Sequence, residues 1–190
     1  MRRILLLAAL GAGCAWMHPP PEPPEARAWQ AVRARWARQA RLYDRFEAHA
    51  FASAVYQAPE LRARRAEQVA AWRAMTAAER QSLLDAEAAE AGRWEDFMVS
   101  FYADDPKDDD LGTSGSVWRV ALVVEGEGEA LPLEIRSQRA DAQVRELYPS
   151  IGDFDTVYRV RFARWKGAPL AGRPFLLRIA GPEGRLELRF

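Results

Sequence analysis

The chain has 190 residues, 49% hydrophobic and 28% charged, which is the profile of a folded protein rather than a disordered or membrane-spanning one. Its 27 basic and 27 acidic side chains cancel, which removes the general electrostatic case for a nucleic-acid partner. One cysteine leaves no pair for a disulfide framework or a cysteine-based metal site.

The chain opens MRRILLLAALGAGC: two arginines, an apolar run from Ile4 to Leu10, small residues, and then the single cysteine, Cys14. A basic start, a short apolar stretch and a small-residue cleavage site describe an export signal. The run falls well short of the roughly 20 apolar residues that span a bilayer. With Ala12, Gly13 and Cys14 in place, the stretch resembles the lipobox of bacterial lipoproteins. The resemblance covers residues 1–14 and the tether behind them. It implies cleavage between Gly13 and Cys14, and fatty acyl chains (palmitate and its like) on Cys14 and its freed amine. It also implies an outer-membrane anchor facing the periplasm, since Ala15 rather than aspartate follows the cysteine. Each buried acyl methylene contributes about 0.8 kcal/mol, so two or three chains hold firmly where one does not.

Residues 14–24 form a proline-rich tether, AWMHPPPEPP after the cysteine. Fixed φ angles and missing amide donors keep such a stretch extended, at about 3 Å per residue. His18 stands alone there and makes a poor metal ligand, and Trp16 suits the interfacial layer.

Residues 25–103 read as helical. Trp29, Val32, Trp36, Tyr43 and Phe46 recur at three- and four-residue steps, with Gln39 at the remaining seam position, and predict one long helix. Pro59 suits the first turn of a second helix, carrying Leu61, Val69 and Trp72 inward. Thr76 and Glu79 have capping-box spacing and start a third, with a stripe of Leu84, Ala91, Trp94, Met98 and Phe101. Short connections suggest an antiparallel three-helix bundle or hairpin.

Charge is uneven across these helices. The first carries Arg27, Arg33, Arg35, Arg38, Arg41 and Arg45; the third carries Glu79, Asp85, Glu87, Glu90, Glu95 and Asp96. Pairing between neighbouring helices accounts for this simply. The sharper expectation places Arg38, Arg41 and Arg45 against anionic headgroups, at about 1 kcal/mol for each well-placed arginine.

Residues 104–116 look like an acidic linker between two architectures, with Asp-Pro and Gly-Thr-Ser-Gly turn signals. Asp104, Asp105, Asp108, Asp109 and Asp110 are candidate calcium ligands, although no frame supplies the alternating acids, sixth glycine and twelfth glutamate of an EF-hand.

From residue 117 to 190 the period becomes two. Five strands are expected: around Trp118, Val120, Leu122 and Val124; around Leu131, Leu133 and Ile135; around Tyr158, Val160 and Phe162; around Phe175, Leu177 and Ile179; and around Leu186, Leu188 and Phe190. Gly-Pro-Glu-Gly marks a hairpin between the last two, and the GEGE run marks another turn. Two more strands find room between residues 137 and 155. The expected fold class is α+β: a three-helix region, then a small antiparallel β-sandwich, with an immunoglobulin-like arrangement as one option, that packs against the helices. Arg159, Arg161, Arg178, Arg185 and Arg189 then form a solvated or partner-binding outer face.

Catalytic motifs are missing. No serine sits in a G-x-S-x-G elbow, and GTSGS lacks the Gly-Lys-Ser/Thr ending of a phosphate loop. His49, beside Asp44 and Glu47, reads as a partly buried polar residue. The expectation is therefore a non-enzymatic structural or adaptor lipoprotein with no cofactor, held to membrane lipid through acylated Cys14 and binding an envelope protein. The alternatives are a carrier or sensor of a small apolar ligand held between helices and sheet, and a carboxylate-dependent hydrolase.

Overall fold

The computed structural model describes residues 24–45 and 47–190. The lipobox with Gly13 and Cys14, His18, most of the tether and Phe46 lie outside them. Helix α1 (Pro24–Trp36) runs directly into strand β1 (Ala37–Asp44), which turns back as β2 (Glu47–Tyr56). Helices α2 (Pro59–Trp72) and α3 (Ala77–Arg93) follow, and α3 runs directly into β3 (Trp94–Ala103). After the acidic loop come β4 (Arg119–Val124), β5 (Gly128–Ala130), β6 (Glu134–Gln138), helix α4 (Ala142–Leu147), β7 (Thr156–Ala163), β8 (Phe175–Gly181) and β9 (Gly184–Arg189). Among the described residues the fold is α+β, with four α-helices and two antiparallel sheets, ordered β1-β2-β3-β7-β6 and β5-β4-β8-β9.

The expected long first helix is therefore a helix of 13 residues followed by a hairpin. Along β1, Arg38, Ala40 and Leu42 are half-buried while Gln39, Arg41 and Tyr43 are exposed, an alternation that only a strand produces. Strand β2 is the harder case, since EAHAFASAVY is rich in alanine, the best helix former. Ala50, Ala52 and Ala54 instead form a small-residue row, fully or almost fully buried, that ends at Tyr56. Tertiary packing overrides propensity here.

A second correction concerns β3. Trp94, Met98 and Phe101 do not continue the stripe of α3, because the helix stops at Arg93 and the chain extends, with Trp94 at φ −135° and ψ 151°. Phe97, Val99 and Phe101 then face one side of the sheet and Asp96, Met98 and Ser100 the other. Strand β3 is the centre of its sheet and is buried on both faces.

The two helix starts after residue 58 fall where expected. Pro59 occupies the first turn of α2, and the capping box closes as Thr76 and Glu79 bond reciprocally, at 2.8 and 3.3 Å. Leu61 and Val69 are buried, but Trp72 is 44% exposed.

All five expected C-terminal strands form, yet they do not make a unit of their own. Strands β6 and β7 join β3, while β4, β8 and β9 build the other sheet with β5. Leu131 and Leu133 are exposed rather than inward, and α4 occupies the stretch where two extra strands were expected. One hydrophobic cluster joins the sheets. Tyr56 and Phe97 meet Phe175 edge-on, at 5.0 and 6.2 Å, and Phe101 meets Trp118 at 5.4 Å. The boundary expected at residues 104–116 separates no hydrophobic cores.

Candidate functional site

The most charged part of the interior lies where α2 and α3 cover the outer face of the β3–β7 pair. Arg62 and Arg65, three apart, share one face of α2, and Glu87 and Glu90 share one face of α3. Below them, Asp96 of β3 stands directly across from Arg161 of β7, with Arg159 two residues along. Asp96 is fully buried and accepts hydrogen bonds from three guanidinium groups: Arg62, Arg159 at 2.6 Å and Arg161 at 3.0 Å. Glu90 also accepts from Arg159 (3.1 Å) and Arg161 (2.7 Å). Glu87 accepts from Arg62 (3.0 Å) and Arg65 (2.6 Å).

Burial by itself would raise the Asp96 pKa, but bonds and charge from Arg159, Arg62 and Arg161 outweigh it and hold the carboxyl below its usual range. Burial likewise opposes ionisation of Glu87, and Arg65 and Arg62 reverse it. The neighbouring Glu95 behaves in the opposite way. It is on the other side of β3, also buried, with the Tyr56 hydroxyl donating to it and Arg164 3.5 Å away. Desolvation dominates there and raises the Glu95 pKa; burial and Glu95 together raise that of the Tyr56 phenol. Two adjacent carboxyls thus receive opposite protonation tendencies from the two faces of one strand.

Beside the charged cluster opens a cleft of about 440 Å³, bounded by α2, α3, α4 and the sheet. Arg65, Arg73, Arg159, Gln138, Gln143 and Tyr148 are among its lining residues. Arg65 donates to the Tyr148 hydroxyl at 3.0 Å, while Arg73 pairs with no carboxylate among the described residues and donates to Gln143 Oε1 at 2.6 Å. Chemically, the cleft offers planar donors for an acidic group. A second cleft, of about 510 Å³, is lined by Trp29 of α1, alanines of α1, α2 and the turn after it, and Met75, together with the polar side chains of Arg64, Glu67, Gln68 and Arg80.

The residues singled out from sequence are distributed differently. Arg38, Arg41 and Arg45 share a face only on a helix, and here they lie on β1 and its turn. Arg38 donates to the Arg189 carbonyl and lies 5.2 Å over the Phe190 ring; Arg41 lies over Phe51; Arg45 takes a left-handed turn conformation, φ 54°. Four of the five linker aspartates accept from separate partners, and Asp108 takes part through its backbone amide, which donates to the Asp105 carbonyl at 2.9 Å. Asp104 accepts from the amide of Asp105, and Asp105 from that of Lys107. Asp109 and Asp110 accept from the hydroxyls of Thr156 and Thr113. Arg159 and Arg161 are covered by α3, whereas Arg178, Arg185 and Arg189 gather around Glu187 on the other sheet. The expected single arginine face is therefore two unrelated groups. His49 lies on β2, not on a helix.

The cluster around Asp96 was missed from sequence. Its trace is the Glu-Asp pair inside the apolar run of β3, a charge placement that an exposed helix would tolerate but a central strand would not.

No family model matches the chain, and no curated protein matches it. Among solved structures, a novel protein of unknown function from Burkholderia pseudomallei is similar over 87% of this chain and 83% of that one, at 14% identity and a TM-score of 0.42. That likeness is too slight to support a conclusion about fold or role.

Proposed function

We propose that this chain is an exported, lipid-anchored module that binds an acidic group of an envelope protein in the cleft between α2, α3, α4 and the sheet, without catalysing a reaction. The location rests on the lipobox-like residues 1–14, which imply an acyl anchor on Cys14 at the periplasmic face of the outer membrane. The two facing sheets act in this reading as a β-sandwich scaffold, although two helices between β2 and β3 depart from immunoglobulin connectivity.

The observation that carries the binding reading is Arg73. The other cleft arginines, Arg62, Arg65 and Arg159, are engaged by Glu87, Glu90 and Asp96. Among the described residues Arg73 has only the neutral Gln143 as side-chain partner, so a carboxylate entering the cleft would gain a charge-assisted bond there. The test is capture from envelope membranes with the Cys14-anchored chain and its Arg73→Gln variant. The reading expects a partner that the parent retains and the variant loses. Equal recovery of the same partner by both overturns the assignment of the cleft. Recovery of Cys14→Ser in the membrane fraction, processed as the parent is, overturns the anchor.

A second reading has its own support. The second cleft is lined in part by alanine, Trp29 and Met75, which suits a small apolar ligand. Lipid released from the native protein, seen by mass spectrometry and absent from a Trp29→Arg variant, would favour it.

A further inference from the structure

We infer that His49, Asp104 and Glu183 form a binding site for one divalent transition-metal ion of the zinc class. The site shares no residue with the cleft and does not depend on the proposed function.

Three elements converge on it. His49 lies on β2. One residue past the paired stretch of β2 and β3, the Asp104 amide donates to the His49 carbonyl at 2.9 Å, which keeps the two residues side by side. Glu183 sits in the two-residue turn that joins β8 to β9 in the other sheet. The imidazole Nδ1 and one oxygen from each carboxylate lie within 4.8 Å of one another. Nδ1 is 3.1 Å from Asp104 Oδ2 and 3.5 Å from Glu183 Oε2.

Those separations suit one ion shared by the three groups. Nδ1 is buried and makes no hydrogen bond, although a carboxylate oxygen stands at bonding distance; the approach lacks the needed direction. Zinc bonds of about 2.1 Å separate neighbouring ligands by about 3.0 Å in an octahedron and about 3.4 Å in a tetrahedron. The observed 3.1 and 3.5 Å lie close to these values. A divalent cation between the two carboxylates would also neutralise their mutual repulsion.

The ligands are held before any ion arrives. Asp104 has its second oxygen, Oδ1, fixed by the Asp105 amide at 2.9 Å, leaving Oδ2 for the site. The turn bearing Glu183 is pinned at both ends. A Cβ on Gly181 would lie 2.6 Å from the Trp118 ring, and one on Gly184 would lie 2.9 Å from Leu42, with Gly184 at φ 145°. Both carboxylates are about two-fifths exposed, so water completes the coordination and an ion can enter. One imidazole with two carboxylates selects zinc, cobalt or nickel; magnesium and calcium favour oxygen alone.

The test uses the untagged chain with His18→Ala, so that the other histidine contributes nothing. Zinc is titrated by calorimetry and by thermal melting, and cobalt by visible absorption. One zinc per chain is expected, with a rise in Tm, while calcium at the same concentration leaves Tm unchanged. His49→Gln and Glu183→Gln should each weaken zinc binding about tenfold or more while keeping the metal-free Tm of the parent. Zinc affinity equal in Glu183→Gln and the parent overturns the site, as does a Tm that zinc does not move. If the three side chains are only neighbours and hold no ion, added zinc does not bind, and the inference fails.

Discussion

Replacing Asp96 with asparagine removes the one buried negative charge that three arginines share. The guanidinium of Arg62 has almost no exposure and keeps only Glu87 and the Gln57 carbonyl. Arg159 and Arg161 keep Glu90 and are partly open to water. Breaking a buried ion pair from one side costs about 3–5 kcal/mol, because the remaining charge is left uncompensated. Partial exposure of two of the three arginines and the surviving amide oxygen place this case near the lower end, about 3 kcal/mol. For a domain of this size each kcal/mol moves Tm by about 2–4 °C, so Asp96→Asn should melt about 6–12 °C below the parent. Adding Arg62→Met should restore part of the loss, since the stranded charge is then gone and Glu87 retains Arg65. The pH dependence has a definite sign. The Asp96 carboxyl is held below its ordinary 3.8, so its contribution is complete above that pH and disappears as pH falls through the lower, folded-state value. The acid limb of the stability curve should therefore be shallower in Asp96→Asn. The measurement is urea unfolding at several pH values together with thermal melts. A Tm within about 2 °C of the parent, with unchanged cooperativity, would refute the view that Asp96 ties α2 to the β3–β7 pair.

Two further outcomes follow from local geometry. Glu127, in the β4–β5 turn, accepts from Lys166 at 2.8 Å and Trp165 at 3.0 Å and also meets Arg173, and these partners bring its pKa down to about 2. Its stabilising effect is present above about 4.5 and is lost as pH falls through about 2, so Glu127→Gln should be less stable than the parent at pH 6 and converge with it in acid; a constant difference across that range contradicts the assignment. Gly181→Ala drives a methyl into the Trp118 ring, at 2.6 Å before relaxation. It should cost about 1–3 kcal/mol and alter the near-ultraviolet tryptophan signal, whereas an unchanged spectrum and melt would mean that Trp118 moves aside freely.

Features that depend on neighbours in sequence could be read without the structure. The Thr76–Glu79 cap, Pro59 at a helix start, the Gly181–Gly184 hairpin and the alternation along β4, β7, β8 and β9 are all set within a few residues. The candidate site was legible only as parts: Glu87, Glu90 and Asp96 in an acid-rich stretch, and Arg159 and Arg161 along one strand. Three aspects were decided by the tertiary structure alone. No turn residue separates α1 from β1 or α3 from β3, so the helical spacing of Trp29, Trp36 and Tyr43 ran unbroken across a change of backbone. Alanine favours helix locally, and only burial between strands makes Ala50, Ala52 and Ala54 a sheet row. Strand β7 pairs with β3 across some sixty residues, which is what brings Arg159 and Arg161 onto Asp96 and fuses two apparent regions into one core. Local patterns state which face of a segment avoids water; which distant segment covers that face is settled by packing, since many partners satisfy the same alternation and one arrangement fills the space.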